Sequence, residues 1–237
     1  MKLLTTIFIA TLMASTAFAQ FEKANQEYAN GQFKDAVADY EQLVRNGEYS
    51  ANLFYDLGNA YFRTQDFGRA ILNYERALAL DRHHAEAQAN LRVARDAARA
   101  LEMQPSGSEK MMRSASVNQW TTAAAIAGWI FVFAVAYLIF SRRARAVIAL
   151  SILSLSIFVW AAFAAYETSK TEAARAIVTA KDVSARVATA DNANRVLALP
   201  VGSEIEVLNK RGDWIYAALP NNQRGWIPAS SAEVVRL

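Results

Sequence analysis

The sequence predicts a multidomain protein in which an all-α helical repeat, a two-helix transmembrane hairpin and a small all-β barrel follow one another. Three observations predict it: self-similarity at an offset of 34 residues in the N-terminal segment, two uncharged apolar runs in the middle, and short β-rich runs between turn residues from Ala176 onward. Composition agrees. The AVILMFWYC residues make up 54% of the 237-residue chain and charged residues 20%, below the usual quarter, so the apolar excess calls for lipid rather than a larger core.

The chain opens on Lys2, an apolar stretch from Leu3 to about Met13, and Ala17-Phe18-Ala19 before Gln20. Charged, hydrophobic and small-residue regions in that order predict a secretory leader over residues 1–19, cleaved after Ala19. An uncleaved anchor is the alternative, and the apolar stretch is short for a comfortable span.

Residues 20–101 carry the repeat. At an offset of 34, Asn25 meets Asn59, Phe33 meets Phe67, Ala36 meets Ala70, Tyr40 meets Tyr74 and Glu41 meets Glu75. Phe54, Leu57, Gly58 and Tyr61 fall at i, i+3, i+4 and i+7, one face of a helix. Gly58 and Ala70 are small where paired helices approach, Tyr74 and Ala77 continue the seam, and Thr64-Gln65-Asp66 is the polar turn. A period of 34 built from two helices is the tetratricopeptide signature, and the copy from Ser50 to Leu80 resembles a tetratricopeptide repeat over its full length. It departs from the pattern at Arg82, where such repeats often carry proline. Repeat one, roughly Gln20 to Gly47, places Lys23 and Glu27 where repeat two has Leu57 and Tyr61, as suits a terminal repeat with a wet outer face. Ala85 to about Leu101 reads as a capping helix. The resemblance implies that Asn25, Tyr28, Tyr55, Asn59, Phe62 and Arg63 face a concave protein-binding groove, the amides pairing with a peptide backbone and the aromatics supplying contact area. The alternative is that they solvate a helix face or touch the neighbouring repeat.

Catalytic and metal chemistry find little to work with. There is no cysteine, and the only histidines are the adjacent His83 and His84, so no triad, thiolate site or two-histidine facial site can be assembled. Both histidines read as a surface turn; no cofactor, metal or enzymatic activity is expected. The net charge of +3 divides into 10 basic and 12 acidic residues over 20–100 and 9 basic and 8 acidic over 167–237, so no soluble segment forms the basic patch a nucleic acid needs.

Residues 120–140 and 146–166 each contain 21 residues without a charge or proline, roughly 30 Å as helix and the thickness of a hydrocarbon core. The loop 141–145 between them carries Arg142, Arg143 and Arg145, which places it in the cytoplasm and both soluble segments outside, in agreement with the leader. Trp120 and Tyr166 sit where rings anchor at headgroups. Residues 102–119, with Pro105 and Gly107, read as a flexible linker and 167–175 as a shorter one, helical as the alternative.

From 176 to 237 the strand-like runs are Ala176 to Ala180, Arg195 to Leu199, Ile205 to Asn209, Trp214 to Leu219, Gly225 to Pro228 and Val234 to Arg236. Gly212-Asp213 and Pro220-Asn221-Asn222 are turns. The string from Val196 to Pro228, with a Gly-Asp-Trp strand followed by a Gly-Trp-Ile strand, resembles a bacterial SH3 domain. Val183-Ser184-Ala185-Arg186-Val187 replaces that family's usual opening. Trp214, Tyr216 and Trp226 either form an aromatic ligand surface or fill the barrel core.

Leader, repeat pair with Gly68 to Leu78 as its most specific string, transmembrane hairpin and SH3-like domain together resemble the E-type proteins of the bacterial aerotolerance operon (BatE). The resemblance implies a non-enzymatic inner-membrane scaffold with both soluble domains periplasmic. It would act with membrane proteins bearing von Willebrand A domains and a MoxR-type ATPase in envelope stress or metal-dependent assembly. A competing expectation makes the SH3-like domain a binder of peptidoglycan stem peptides, with the repeat merely docking.

Overall fold

A computed structural model describes residues 17–112, 114–140 and 145–237. The leader assigned to residues 1–19 and the loop 141–145 therefore lie almost wholly outside the described residues. The described chain divides into two compact units: the segment up to Met103 together with Arg175–Leu237, and Gln104–Ala174.

The first unit begins with five helices: α1 (residues 17–29), α2 (Phe33–Arg45), α3 (Ala51–Arg63), α4 (Phe67–Leu80) and α5 (Ala85–Ala98). Local chemistry sets their starts. Ser50 Oγ accepts from the Leu53 amide of α3 at 3.1 Å, and Asp66 Oδ1 accepts from the Arg69 amide of α4 at 3.2 Å, each satisfying a first-turn donor. Packing follows the expected seam: Tyr40, Leu57, Ala70, Ile71, Tyr74 and Leu91 share one core. Gly58 is obligatory there, because a Cβ on it would lie 2.7 Å from Tyr74 Cε1.

The same unit ends in seven strands: β1 (Arg175–Val178), β2 (Val183–Arg186), β3 (Arg195–Leu199), β4 (Glu204–Arg211), β5 (Trp214–Ala218), β6 (Arg224–Pro228) and β7 (Ala232–Val234). They form one antiparallel sheet in the order β3-β2-β6-β5-β4-β1-β7. The ladder is open, with β3 and β7 at its ends, where the sequence predicts a closed barrel. Short strands account for this: β7 has three residues, and β2 meets β6 at the single register position Arg186 and Trp226. Strand β2 was absent from the sequence-based set. Its alternation, Val183 and Ala185 buried with Ser184 and Arg186 half-buried, is four residues long and too brief to stand out.

Repeat and sheet pack together within one compact unit. Ile177 of β1 and Val235 belong to the repeat's own core. Gly68 lets α4 approach the sheet so closely that a Cβ would lie 2.6 Å from Val201 Cγ2 and 3.1 Å from the Val178 carbonyl oxygen. The Leu101 amide donates to Ser203 Oγ at 3.1 Å, and the Glu204 amide donates to the Leu101 carbonyl at 2.9 Å. Glu75 of α4, 5% exposed, receives Arg95 Nη2 of α5 at 2.6 Å and Arg175 Nη2 of β1 at 2.8 Å. Arg175 Nε also reaches Glu204 Oε1 at 2.8 Å, and the flanking carboxylates, Glu75 foremost, hold its guanidinium above the ordinary arginine range.

The second unit contains α6 (Gly107–Met112), α7 (Val117–Phe140) and α8 (Arg145–Ala174). Both long helices meet the length and composition of a membrane span, with mean hydropathy 2.3 and 2.4 over their most apolar windows. They pack on each other and bury small residues, Ala124, Ala127 and Ala134 of α7 and Ser154, Ala161 and Ala164 of α8, and leave Phe133 and Ile139 facing outward at 67% and 73% exposure. The Ser151 and Ser154 hydroxyls donate to helix carbonyls, as apolar surroundings require. Helix α8 continues through residues 167–174, so the second expected linker is helical, and α6 occupies part of the first.

Gly68→Leu should therefore destabilise the protein by about 1 to 3 kcal/mol through overpacking. Gly107→Ala, whose Cβ meets nothing within 4 Å, should be near neutral. Thermal melts of the full chain in detergent check this; equal midpoints would remove Gly68 from the packed junction.

Candidate binding groove

Helices α1, α3 and α5 carry the face on which the expected groove residues lie. The two asparagines do something the sequence did not reveal. Tyr40 donates its hydroxyl to Asn25 Oδ1 at 2.7 Å, and one period later Tyr74 donates to Asn59 Oδ1 at 2.8 Å. Asn90 Nδ2 adds a second donor to Asn59 Oδ1 at 2.9 Å. Each amide thus ties the two helices of its own repeat together. Burial holds the Tyr40 and Tyr74 hydroxyls well above the ordinary phenol range, which keeps both as donors.

The other groove candidates divide. Tyr28 packs edge-on to Phe33 at 5.3 Å, Phe62 to Phe67 at 5.4 Å, and Arg63 lies over the Phe33 ring at 4.3 Å. These contacts close the turns within each repeat and bridge the two. Tyr55 lines an open cavity of about 580 Å3, shared with Phe21, Asn52, Asp56, Asp81, the turn residues His83 and His84, and Ala85 and Glu86 at the start of α5. The size suits a side chain or short segment.

Asp56 is the cavity's distinctive group. It is half-buried and has no hydrogen-bond or ion-pair partner among the described residues. Burial pushes its carboxyl up to about 6, with His84 opposing weakly. Of the other acids, Asp81 Oδ1 accepts from the His83 amide at 2.9 Å, and Glu86 is exposed to solvent. His84 is also the N-cap of α5, its Nδ1 accepting from the Ala87 amide at 3.3 Å, and His83 is exposed. Among the described residues no three His, Asp or Glu side chains converge on a metal-sized site. Sequence reading missed Asp56 because its type and position are ordinary for a solvated helix face; only the cavity distinguishes it.

A second cleft, about 250 Å3, lies on the opposite helices between α2 and α4 and beside Glu233. Tyr61 donates to Glu41 there, and the buried Asn73 Oδ1 and Arg76 Nε have no hydrogen-bond partner among the described residues. Burial lowers the Arg76 pKa from its ordinary value.

On the sheet, Trp214, Tyr216 and Trp226 are half-buried on the face opposite Ile215, Ala217 and Ile227, which form the sheet core. Tyr216 and Trp226 are register partners with rings 5.0 Å apart. All three lie outside the sheet's buried core cluster.

Comparison with protein-family models matches the tetratricopeptide repeat over residues 51–84, which covers α3, α4 and the turn bearing His83 and His84. The chain therefore carries a tetratricopeptide repeat, and Tyr55, Asp56, Asp81, His83 and His84 lie within the matched segment. No curated protein matches the chain.

Asn59→Ala should lower stability more than Asn25→Ala, since Asn59 receives two donors and each lost bond costs about 0.5 to 1.5 kcal/mol. Denaturant melts of the full chain would reveal the order, and equal midpoints would contradict it. Asp56 has a raised folded-state pKa, so its contribution to stability is complete below about 3.8 and is lost as pH rises through about 6. Asp56→Asn should flatten that part of the stability profile, with Asp81, His83, His84 and Glu86 unchanged around it. An identical slope in the variant would mean the carboxyl is solvated.

Proposed function

We propose that this protein is a membrane-anchored, extracytoplasmic scaffold whose tetratricopeptide repeat captures a protein segment, acting in a Bat and MoxR-type envelope complex linked to stress tolerance. The observation that carries the scaffold reading is the matched repeat with a cavity on its first-helix face. The proposed partners are membrane proteins with von Willebrand A domains and a MoxR-type ATPase system. They rest on the resemblance of the domain order to BatE-type proteins. A scaffold rather than an enzyme fits a chain without cysteine whose two histidines are adjacent.

The inner-membrane anchor is supported by α7 and α8, the lipid bilayer being their partner. Their place in the sequence supports one side for both soluble segments: the hairpin interrupts a single folded unit, and a bilayer cannot divide a unit whose core is shared. The arginines of the 141–145 loop favour the cytoplasm for the hairpin's turn, which assigns the repeat and sheet to the periplasm. The absence of cysteine offers a clean test. Lys34→Cys and Lys210→Cys, both at exposed positions, should react with a membrane-impermeant maleimide in intact spheroplasts, and Arg143→Cys only after permeabilisation. Protection of Lys34→Cys or Lys210→Cys would overturn the orientation.

A second reading is favoured by the outer aromatic row. Trp214, Tyr216 and Trp226 present ring faces suited to a cell-wall peptide, which would make an SH3-like sheet the binding module and the repeat its support. Purification of the full chain in mild detergent separates the two. The scaffold reading expects the von Willebrand A-domain proteins to be retained by a Trp214→Ala, Trp226→Ala variant; the second expects that variant to lose peptidoglycan capture. Failure to recover any von Willebrand A-domain protein would sink the complex assignment.

A further inference from the structure

The cavity at the junction of α1, α3 and α5 has a chemistry that narrows what it takes. Its walls hold three carboxylates, Asp56, Asp81 and Glu86, and neither lysine nor arginine. Asp81 is engaged by the His83 amide and Glu86 is exposed, whereas Asp56 is half-buried, faces His84, and has no hydrogen-bond or ion-pair partner among the described residues. A carboxylate partly withdrawn from water and left unpaired is less favourable than a solvated one, and the raised Asp56 pKa reflects it; an arriving cation would offset that penalty. The apolar walls suit the same guest. Phe21 and Tyr55 line the cavity, and an aromatic face attracts a guanidinium or ammonium.

A metal ion is a poor fit, because the acids do not converge as a trio among the described residues. A cavity of about 580 Å3 instead has room for a long cationic side chain with part of its backbone. The geometry points to a docking site for an extended protein segment bearing arginine or lysine, with one cationic side chain entering beside Asp56 between Phe21 and Tyr55. This rests on the scaffold reading for the identity of the groove and goes beyond it in naming the chemistry of the partner segment. Asp56 is the anchoring charge, Asp81 and Glu86 supply the longer-range negative potential, and Phe21 together with Tyr55, whose ring packs against His84 at 4.8 Å, forms the aromatic wall. Charge complementarity makes the attraction sensitive to salt.

The test uses the full chain in mild detergent and a fluorescein-labelled Gly-Ser-Ala decapeptide carrying two arginines, read by anisotropy. The same peptide with the arginines replaced by glutamine is the comparison. The arginine peptide should bind saturably and weaken as salt rises, while the glutamine peptide binds at least about tenfold less tightly. Asp56→Asn should weaken the arginine peptide by about tenfold, Asp56→Glu should retain part of the affinity, and Asp191→Asn, exposed in the turn between β2 and β3, should change nothing. A melt of each variant confirms that it is folded, and Glu86→Gln, with a smaller expected loss, supplies a second reading if Asp56→Asn fails to fold. Three results overturn the assignment: no saturable binding at low salt, equal affinity for the two peptides, or full affinity in Asp56→Asn. Spermidine competing as well as the peptide would also overturn a protein segment as the guest. Recovery of von Willebrand A-domain proteins is a separate measurement, so loss of the complex and loss of the cationic site are told apart.

Discussion

Glu75 is the constraint around which the soluble part of this protein is organised. Its carboxylate is nearly excluded from water and stands between Arg95 of the capping helix and Arg175 at the start of the first strand. A buried charge of this kind is tolerable only when its partners are in place, and removing one partner of such a pair typically costs about 3 to 5 kcal/mol. Arg175 in turn holds Glu204, so one network joins α4, α5, β1 and β4. Glycine at 68 and 202 permits the approach: at either position a Cβ would collide with a side chain of the opposite segment.

The same glutamate belongs to the repeat pattern. Glu41 of α2 accepts from Tyr61, twenty positions on, and Glu75 of α4 accepts from Arg95, again twenty positions on. Asn25 with Tyr40 and Asn59 with Tyr74 repeat at a spacing of fifteen. The 34-residue period therefore specifies polar ties as well as apolar contacts: asparagine and tyrosine lock the helices within a repeat, and glutamate locks each repeat to the next. Polar ties of this kind define register, because a slipped helix would leave buried donors and acceptors unmatched. At the third position Arg95 replaces tyrosine, and its longer, charged side chain gives Glu75 a cationic partner where Glu41 has a phenol.

A marginal stack of two repeats and a cap acquires stability by a route other than adding repeats. The C-terminal sheet covers part of α4 and contributes Ile177 and Val235 to the helical core, burying surface that a third repeat would otherwise cover. The first-helix cavity lies away from the α4 residues that meet the sheet, so docking the sheet leaves it open.

The sequence by itself determined the element types: the repeat at its correct period, two apolar helices at nearly their observed positions, and six of the seven strands. Each is encoded locally, by spacing at i, i+3, i+4 and i+7, by uninterrupted apolar length, or by β-rich runs between turns. It also determined that chemistry requiring thiols or separated histidines has no residues to use. Tertiary structure decided the rest, because the relevant contacts span distances along the chain that no local pattern records. The hydrogen bond from Arg175 to Glu75 crosses 100 positions, and the one from Leu101 to Ser203 crosses 102. Asn25 and Asn59 were visible as a repeated pair, but whether their amides face a ligand or a tyrosine depended on where the second helix lay. Asp56 carried no sequence signal at all; its significance comes from a cavity made by residues from Phe21 to Glu86, which only folding brings together.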